Sequence, residues 1–266
     1  MFEQRKLKVA MVSLTSCEGC YFSLLDLGNE FLEIADKIDL VKFRLLEETE
    51  HEKNEKFDVA FVEGSPISKD NFDELIDLRL RTKKIIVLGG CAHTGGTYAM
   101  RNHTDKKKAC KYVYPKTCQK VFNPKILELS KVIKVDGIIP TCPVNPKEFV
   151  RFMSFVLNSL VFKIVERPVC YECQLAQNPC LLKMGQPCFG PMALGGCDAP
   201  CPKAGMPCQI CRGPMKEIQW ENFEKKMHEV MGDKIWEKDY HEILEIFNVK
   251  EKVKVKSKNS KATSKK

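Results

Sequence analysis

The distribution of cysteine constrains this chain more than any other feature of its 266 residues. Fourteen cysteines are present, and eight of them fall between Cys170 and Cys211. A Cys-x-x-Cys pair stands at each end of this block. Because disulfides are rare in a reducing compartment, cysteines clustered in this way indicate metal coordination.

The charge of the chain is also unevenly distributed. Of a net charge of +8, residues 251–266 contribute +6 through seven Lys and one Glu. This tail is predicted to be disordered and to solubilise the protein, with a tether to nucleic acid or another anionic partner as the alternative. The other 250 residues are nearly neutral, so no DNA partner is expected.

No segment predicts a membrane span. The longest near-apolar run, residues 152–162, is about half of the roughly 20 residues that a spanning helix needs. The first eight residues lead into a strand pattern rather than the apolar core of a signal peptide. We therefore expect a soluble, cytoplasmic protein.

Strand and helix patterns alternate along the first part of the chain. Short runs rich in apolar and β-branched residues predict buried parallel strands at 7–14, 57–62, 84–88 and 132–135. Helical spacing predicts helices at 24–35, 72–80 and 146–162. Asp70-Asn71 can cap the start of the second of these helices. The alternation predicts an α/β domain with a doubly wound parallel sheet, covering residues 1–165.

The composition changes in residues 166–250. Between 166 and 214 the cysteines are interspersed with Pro and Gly, and neither a helical nor a strand period is sustained. We expect this segment to lack an apolar core and to take its stability from metal coordination. Two short amphipathic helices are predicted after it, at 220–231 and 236–247.

Four cysteines of the first domain follow the carboxyl ends of predicted strands. Cys17 and Cys20 follow the first strand, Cys91 follows the strand that ends at Leu88, and Cys142 follows the last one. Parallel strands end at one common crevice, so these thiols are predicted to meet there. Such a set suits a 4Fe-4S cluster or a structural zinc, while buried free thiols are the alternative without a metal.

The dense block contains eight cysteines, which divide by count into two sets of four. The sets are Cys170, Cys173, Cys180 and Cys188, then Cys197, Cys201, Cys208 and Cys211. Two cubane clusters would use all eight thiols, whereas a zinc ribbon built from the two Cys-x-x-Cys pairs would leave four unused. A set of redox-sensing thiols is the third interpretation.

Three other residues complete the candidates. Cys110 and Cys118 lie in a basic stretch that follows no predicted strand, and the sequence assigns them no role. Glu63 ends a predicted strand, so it suits either the start of a helix or a place beside the crevice.

The order of these motifs resembles the small, electron-transferring subunit of nickel-iron hydrogenases. The resemblance spans residues 7–214 and rests on Leu14-Thr-Ser-Cys17-Glu-Gly-Cys20, Val62-Glu-Gly-Ser65, Gly89-Gly-Cys91-Ala92, Thr141-Cys142-Pro143 and the dense block. It implies a flavodoxin-like domain followed by an irregular, Cys-rich iron-sulfur domain. It also implies a nickel-iron large subunit as partner, an electron-acceptor subunit that carries flavin or iron-sulfur groups, and no catalytic residue on this chain.

The resemblance assigns each set of thiols to one of three 4Fe-4S clusters. The proximal set is Cys17, Cys20, Cys91 and Cys142, with Glu18 and Glu63 in its surroundings. The medial set is Cys197, Cys201, Cys208 and Cys211, and the distal set is Cys170, Cys173, Cys180 and Cys188.

One departure from the family pattern narrows the subfamily. Cys170 stands where membrane-bound uptake enzymes have a His, and this implies a cytoplasmic enzyme similar to the archaeal sulfhydrogenase and F420-nonreducing types. The iron-sulfur subunit of respiratory complex I shares the N-terminal domain, but it has adjacent cysteines where Cys17 and Cys20 are separated here. A zinc-stabilised binding module is the alternative without redox chemistry.

Overall fold

The computed structural model describes residues 5–43, 45–46, 55–118, 124–164, 166–232 and 240–250. The chain divides into two compact units, one from Met1–Gly95 with Lys120–Lys163 and the other from Gly96–Gln119 with Ile164–Lys266. The second unit thus includes Gly96–Gln119, which the predicted boundary at residue 165 assigns to the first domain. The Lys-rich tail at 251–266 lies outside the described residues.

A parallel sheet forms the centre of the first unit. Its strands are β1 (Leu7–Ser13), β2 (Ile38–Phe43), β3 (Phe57–Glu63), β4 (Thr82–Leu88) and β5 (Gly137–Ile139). Their spatial order is β2-β1-β3-β4-β5, and every neighbouring pair is parallel. This is the flavodoxin-like order, so the predicted doubly wound α/β fold is confirmed.

The α-helices of the described residues are distributed over both units. They are α1 (Gly19–Leu25), α2 (Asn29–Ala35), α3 (Lys69–Arg81), α4 (Gly89–Thr94), α5 (Lys106–Val113), α6 (Pro146–Leu157), α7 (Val169–Leu175), α8 (Pro200–Lys203), α9 (Trp220–Met231) and α10 (His241–Ile246). None of them is long and apolar enough to cross a membrane.

The sheet of the first unit is covered on both faces because its strands are apolar on both. Val9 and Met11 of β1 share one buried cluster with residues of α1, α2 and α6. Ala10 and Val12, which point the opposite way, share another with residues of α3. Near-continuous apolar runs are what two-sided burial of a parallel sheet requires.

Several sequence predictions for this unit were wrong in detail. The strand predicted at 132–135 is a loop whose apolar side chains pack against the sheet, and β5 begins only at Gly137. The helix predicted over 24–35 is two helices, separated at Gly28, whose φ is +57°. Ser68 is the N-cap of α3, because its hydroxyl accepts a hydrogen bond from the Asn71 backbone N–H. The Asn71 side chain accepts from the Ser68 N–H in return, so Asn71 of the predicted pair takes part in the cap.

Two further differences concern an edge strand and a helix end. β2 was not predicted, because an edge strand is only partly buried and its residues Ile38-Asp-Leu-Val-Lys-Phe43 form a weak pattern. The helix predicted over 146–162 is shorter, since α6 ends at Leu157.

The second unit has an apolar core, so the prediction that its cysteine segment lacks one was wrong. Phe189 is fully buried, and its ring lies 5.4 Å from those of both Phe223 and Tyr240. The buried side chains of Cys188 and Cys208 belong to the same cluster. Residues of the cysteine segment therefore pack against the C-terminal helices.

The C-terminal helices follow the sequence prediction in part. The predicted helix at 220–231 is confirmed as α9, which buries Trp220, Phe223, Met227 and Met231 on one face. Of the helix predicted at 236–247, α10 covers His241–Ile246, while residues 233–239 lie outside the described part of the chain.

Candidate metal centres

The loops at the carboxyl edge of the sheet are fastened to one another by hydrogen bonds. Thr15, after β1, and Ser65, after β3, exchange two backbone hydrogen bonds of 3.3 and 3.0 Å. The Ser65 hydroxyl donates to the carbonyl of Cys91 at 2.9 Å. The Gly90 N–H donates to the carbonyl of Thr141, after β5, at 2.7 Å. Four strand ends are therefore held in a fixed arrangement.

The thiols of the proximal set meet at this edge. Burial raises the pKa of Cys20, and the charge of Glu63 and two neighbouring thiols raise it further. Burial also raises the pKa of Cys91 to about 12, with added contributions from Cys142 and Cys17. These thiols are near enough to affect one another electrostatically, and binding a cation would displace their protons.

Glu63 lies beside these thiols. It is buried, and its Oε1 accepts hydrogen bonds from the hydroxyls of Ser16 at 2.9 Å and Ser13 at 3.2 Å. Burial raises its pKa despite these bonds. Of its two sequence interpretations, the structure therefore favours the place at the crevice.

Two glycines show how tightly backbone and thiols pack at this edge. Gly89 has a φ of +82°, and a Cβ built on it would lie 2.3 Å from the Sγ of Cys20. Gly64 has a φ of +84°, and its Cβ would lie 2.7 Å from the carbonyl oxygen of Thr15. Only glycine fits at either position. The backbone at this edge therefore forms a cradle, in which the space beside Gly89 is occupied by the sulfur atom of Cys20. Such an arrangement fits a bulky inorganic group.

The thiols of the distal set also converge. Burial raises the pKa of Cys170 to about 12, and the thiols of Cys188, Cys173 and Cys180 raise it further. Gly190 faces two of them, since a Cβ on it would lie 3.2 Å from the Sγ of Cys170 and 3.5 Å from that of Cys188. A second cradle is thus formed within the second unit.

Three thiols of the medial set influence one another. Burial raises the pKa of Cys208, and the thiols of Cys211, Cys188 and Cys197 contribute. The Cys208 backbone N–H donates to the Sγ of Cys188 at 3.3 Å, and this bond joins the medial and distal sets. Cys201 is partly exposed in α8, and its membership of the set stays a prediction.

A site for one metal ion requires thiolates that lie closer together than those of an iron-sulfur cluster. Among the residues that the structure describes, no three His, Cys, Asp or Glu side chains are close enough to hold a single metal ion. Thiolates around one zinc lie about 3.8 Å apart, because Zn–S bonds are about 2.3 Å long and tetrahedral. The thiolates of a cubane bind different irons and are more widely spaced.

The two remaining cysteines form a disulfide. Cys110, in α5, and Cys118 have Cα atoms 5.4 Å apart. No strand or ligand pattern surrounds them in the sequence, and only their short separation of eight residues could have indicated the pair.

Comparison with known proteins decides the family. The family model described as "NADH ubiquinone oxidoreductase, 20 Kd subunit" matches residues 17–155, slightly more than half of the chain and including the whole proximal set. The chain belongs to this family.

Within the family, the chain is a hydrogenase small subunit, a component of an oxidoreductase. It is 32% identical over 230 residues to sulfhydrogenase 2 subunit delta of Pyrococcus furiosus, covering 85% of this chain and 94% of the relative. It is 30% identical over 236 residues to a subunit of the vhu F420-non-reducing hydrogenase of Methanocaldococcus jannaschii, covering 77% and 81%. Both alignments extend beyond the region of the family model.

Solved structures support the fold of this hydrogenase subunit. A chain of the actinobacterial-type NiFe-hydrogenase from Ralstonia eutropha H16 matches with a TM-score of 0.59 and 16% identity, covering 99% of this chain and 91% of that one. A chain of an NAD+-reducing [NiFe]-hydrogenase matches with a TM-score of 0.52 and 22% identity, covering 59% and 94%.

Proposed function

We propose that this subunit carries three 4Fe-4S clusters and conducts electrons between the nickel-iron centre of a large subunit and a downstream acceptor subunit in reversible hydrogen oxidation. The observation that carries the proposal is the convergence of the proximal thiols from separate strand-end loops. The match to a sulfhydrogenase delta subunit over most of both chains supports it.

The chain's own residues account for how the clusters would be held. The proximal set would bind one cluster at the sheet edge, and the medial and distal sets would bind one each in the second unit. When bound, the clusters supply one-electron redox chemistry at potentials that the surrounding charges and hydrogen bonds adjust. The buried carboxylate of Glu63 and the cradles at Gly89 and Gly190 would form part of these surroundings.

Exposure of the proximal set supports a protein partner at this edge. Cys17 and Cys142 are exposed, whereas Cys20 and Cys91 are partly buried. The set is therefore open on one side, where a large subunit would cover it. An acceptor subunit with flavin or iron-sulfur groups would receive the electrons, and the cytoplasm is the proposed location.

A substitution in the proximal set tests the proposal. Cys17→Ala removes one thiolate, while the other two sets lie on a separate segment. In the complex with its large subunit, we expect hydrogen-dependent dye reduction to fall nearly to zero, because no other set can replace the first element of a series pathway. About two-thirds of the iron on this chain should remain, since one of three clusters with four irons each is lost.

A distant alanine substitution is the control. Lys265→Ala, in the Lys-rich tail, should change neither iron content nor dye reduction. If the Cys17 variant, still bound to its large subunit, reduced dye at the normal rate, the proximal set would not belong to the electron pathway.

A further inference from the structure

Glu172 is a buried carboxylate in the helix that bears two distal ligands. It lies in α7 between Cys170 and Cys173, and it is 6% exposed. An ionised carboxylate at such a depth is costly unless its oxygens accept hydrogen bonds. A substitution that merely filled the space with an apolar side chain would avoid that cost. The presence of a charge here therefore needs a reason.

The partners of Glu172 indicate the reason. Its Oε1 accepts from the Gly196 N–H, and its Oε2 accepts from the Asp198 N–H at 2.9 Å. These two residues are the immediate neighbours of Cys197. One side chain of the distal segment thus holds a medial ligand from both flanks.

The segment around Arg167 and the loop that leads to Cys197 can approach each other because Gly195 has no side chain. The Gly195 N–H donates to the carbonyl of Arg167 at 2.7 Å. A Cβ on Gly195 would lie 3.0 Å from that carbonyl oxygen and 3.1 Å from the Oε1 of Glu172. Any larger residue would push the Cys197 loop away from α7.

The charge of Glu172 is only partly balanced. The guanidinium of Arg167 donates to Oε1 at 3.0 Å, and it also lies over the ring of Tyr171 at 4.9 Å. The Arg167 side chain is 34% exposed, whereas that of Glu172 is 5% exposed. Water therefore screens the positive charge of Arg167 more than the negative charge of Glu172. The buried guanidinium of Arg212 also acts on Cys197, with a sign opposite to that of Glu172, so removing the charge of Glu172 would make the surroundings of Cys197 more positive.

We propose that Glu172 is a positioning residue that fixes Cys197 relative to α7 and lowers the reduction potential of the centre that Cys197 helps to hold. This inference rests on the proposed function, in which Cys197 belongs to a cluster-binding set. Charge and hydrogen bonds around a cluster's ligands are the means by which a protein adjusts its potential.

A pair of substitutions with opposite expected effects tests the inference. Glu172→Gln removes the negative charge, and its amide group can accept with only one atom, so one of the two backbone bonds is lost. In a redox titration of the complex, followed by electron paramagnetic resonance, the reduction potential of one cluster should rise by at least about 59 mV. This corresponds to a tenfold change in the equilibrium constant of a one-electron reduction. Arg167→Gln removes the cation that is hydrogen-bonded to Glu172, so the potential of the same cluster should fall.

The controls separate this inference from the proposed function. Glu166→Gln neutralises an exposed carboxylate on the same segment, which accepts from the Lys216 N–H, and it should leave every potential unchanged. If clusters are present but neither variant moves a potential, or both move it in the same direction, the role of Glu172 is wrong and the proposed function stands. If Glu172→Gln does not fold, Arg167→Gln decides alone, and an unchanged potential overturns the inference. A wild-type complex in which this subunit holds no iron-sulfur cluster would overturn both.

Discussion

Gly89→Ala perturbs the geometry of the proximal set without removing any of its four cysteines. A Cβ at this position would lie 2.3 Å from the Sγ of Cys20. Carbon and sulfur atoms in ordinary contact stay about 3.5 Å apart or more, so the sulfur would have to retreat by about 1 Å. Metal–ligand distances tolerate deviations of about 0.2 Å, and Cys20 could no longer bind together with the other thiols of its set.

The size of the effect follows from two separate terms. Holding alanine in the left-handed region costs about 1–2 kcal/mol of folding stability, since the φ of Gly89 is +82°. Loss of the proximal cluster removes about one-third of the iron if three clusters hold four irons each. Gly185→Ala is the matched control, because Gly185 has a φ of +80° and nothing within 4 Å of its Cβ position.

The assay is iron per chain, together with chemical unfolding, on both variants in complex with the large subunit. Both variants should lose similar stability through the backbone term, but only Gly89→Ala should lose iron and hydrogen-dependent dye reduction. Full iron retention by Gly89→Ala, or equal iron loss by Gly185→Ala, would refute the reasoning that a ligand thiol requires glycine here.

Two further predictions concern stability. Burial acts to raise the pKa of Asp58, but hydrogen bonds from Lys83 and from the Lys8 N–H lower that pKa overall. The stability that the Asp58 carboxylate contributes is therefore present at neutral pH and is lost as the pH falls through the lowered pKa. Asp58→Asn should lower the free energy of unfolding at pH 7 by about 1–3 kcal/mol, and an unchanged value at pH 7 would contradict this. Cys110→Ser should increase protease cleavage within 106–118 without changing the global unfolding midpoint, because α5 buries none of its residues; unchanged cleavage would contradict it.

The sequence predicted those features that follow from local pattern and sheet geometry. Apolar runs identified β1, β3 and β4, because two-sided burial leaves little room for polar residues. The meeting of the proximal thiols was predictable, since parallel strands end at one edge whatever the intervening sequence.

The features that the sequence did not predict depend on contacts between distant segments. The core around Phe189 is assembled from residues that follow no regular spacing, with partners such as Phe223 far along the chain. Glu172 forms its backbone bonds with residues 24 and 26 positions away. Neither pattern has a period, so no local rule could identify it.

The central claim is that the three cysteine sets hold iron-sulfur clusters, and the metal content of the anaerobically purified complex tests it most directly. The iron of this subunit is measured on the isolated chain, and the iron of its partners is the difference between the complex and that chain. We predict about twelve irons on the chain, four for each set, with no stoichiometric zinc. Two or three zinc ions per chain with little iron would contradict the account.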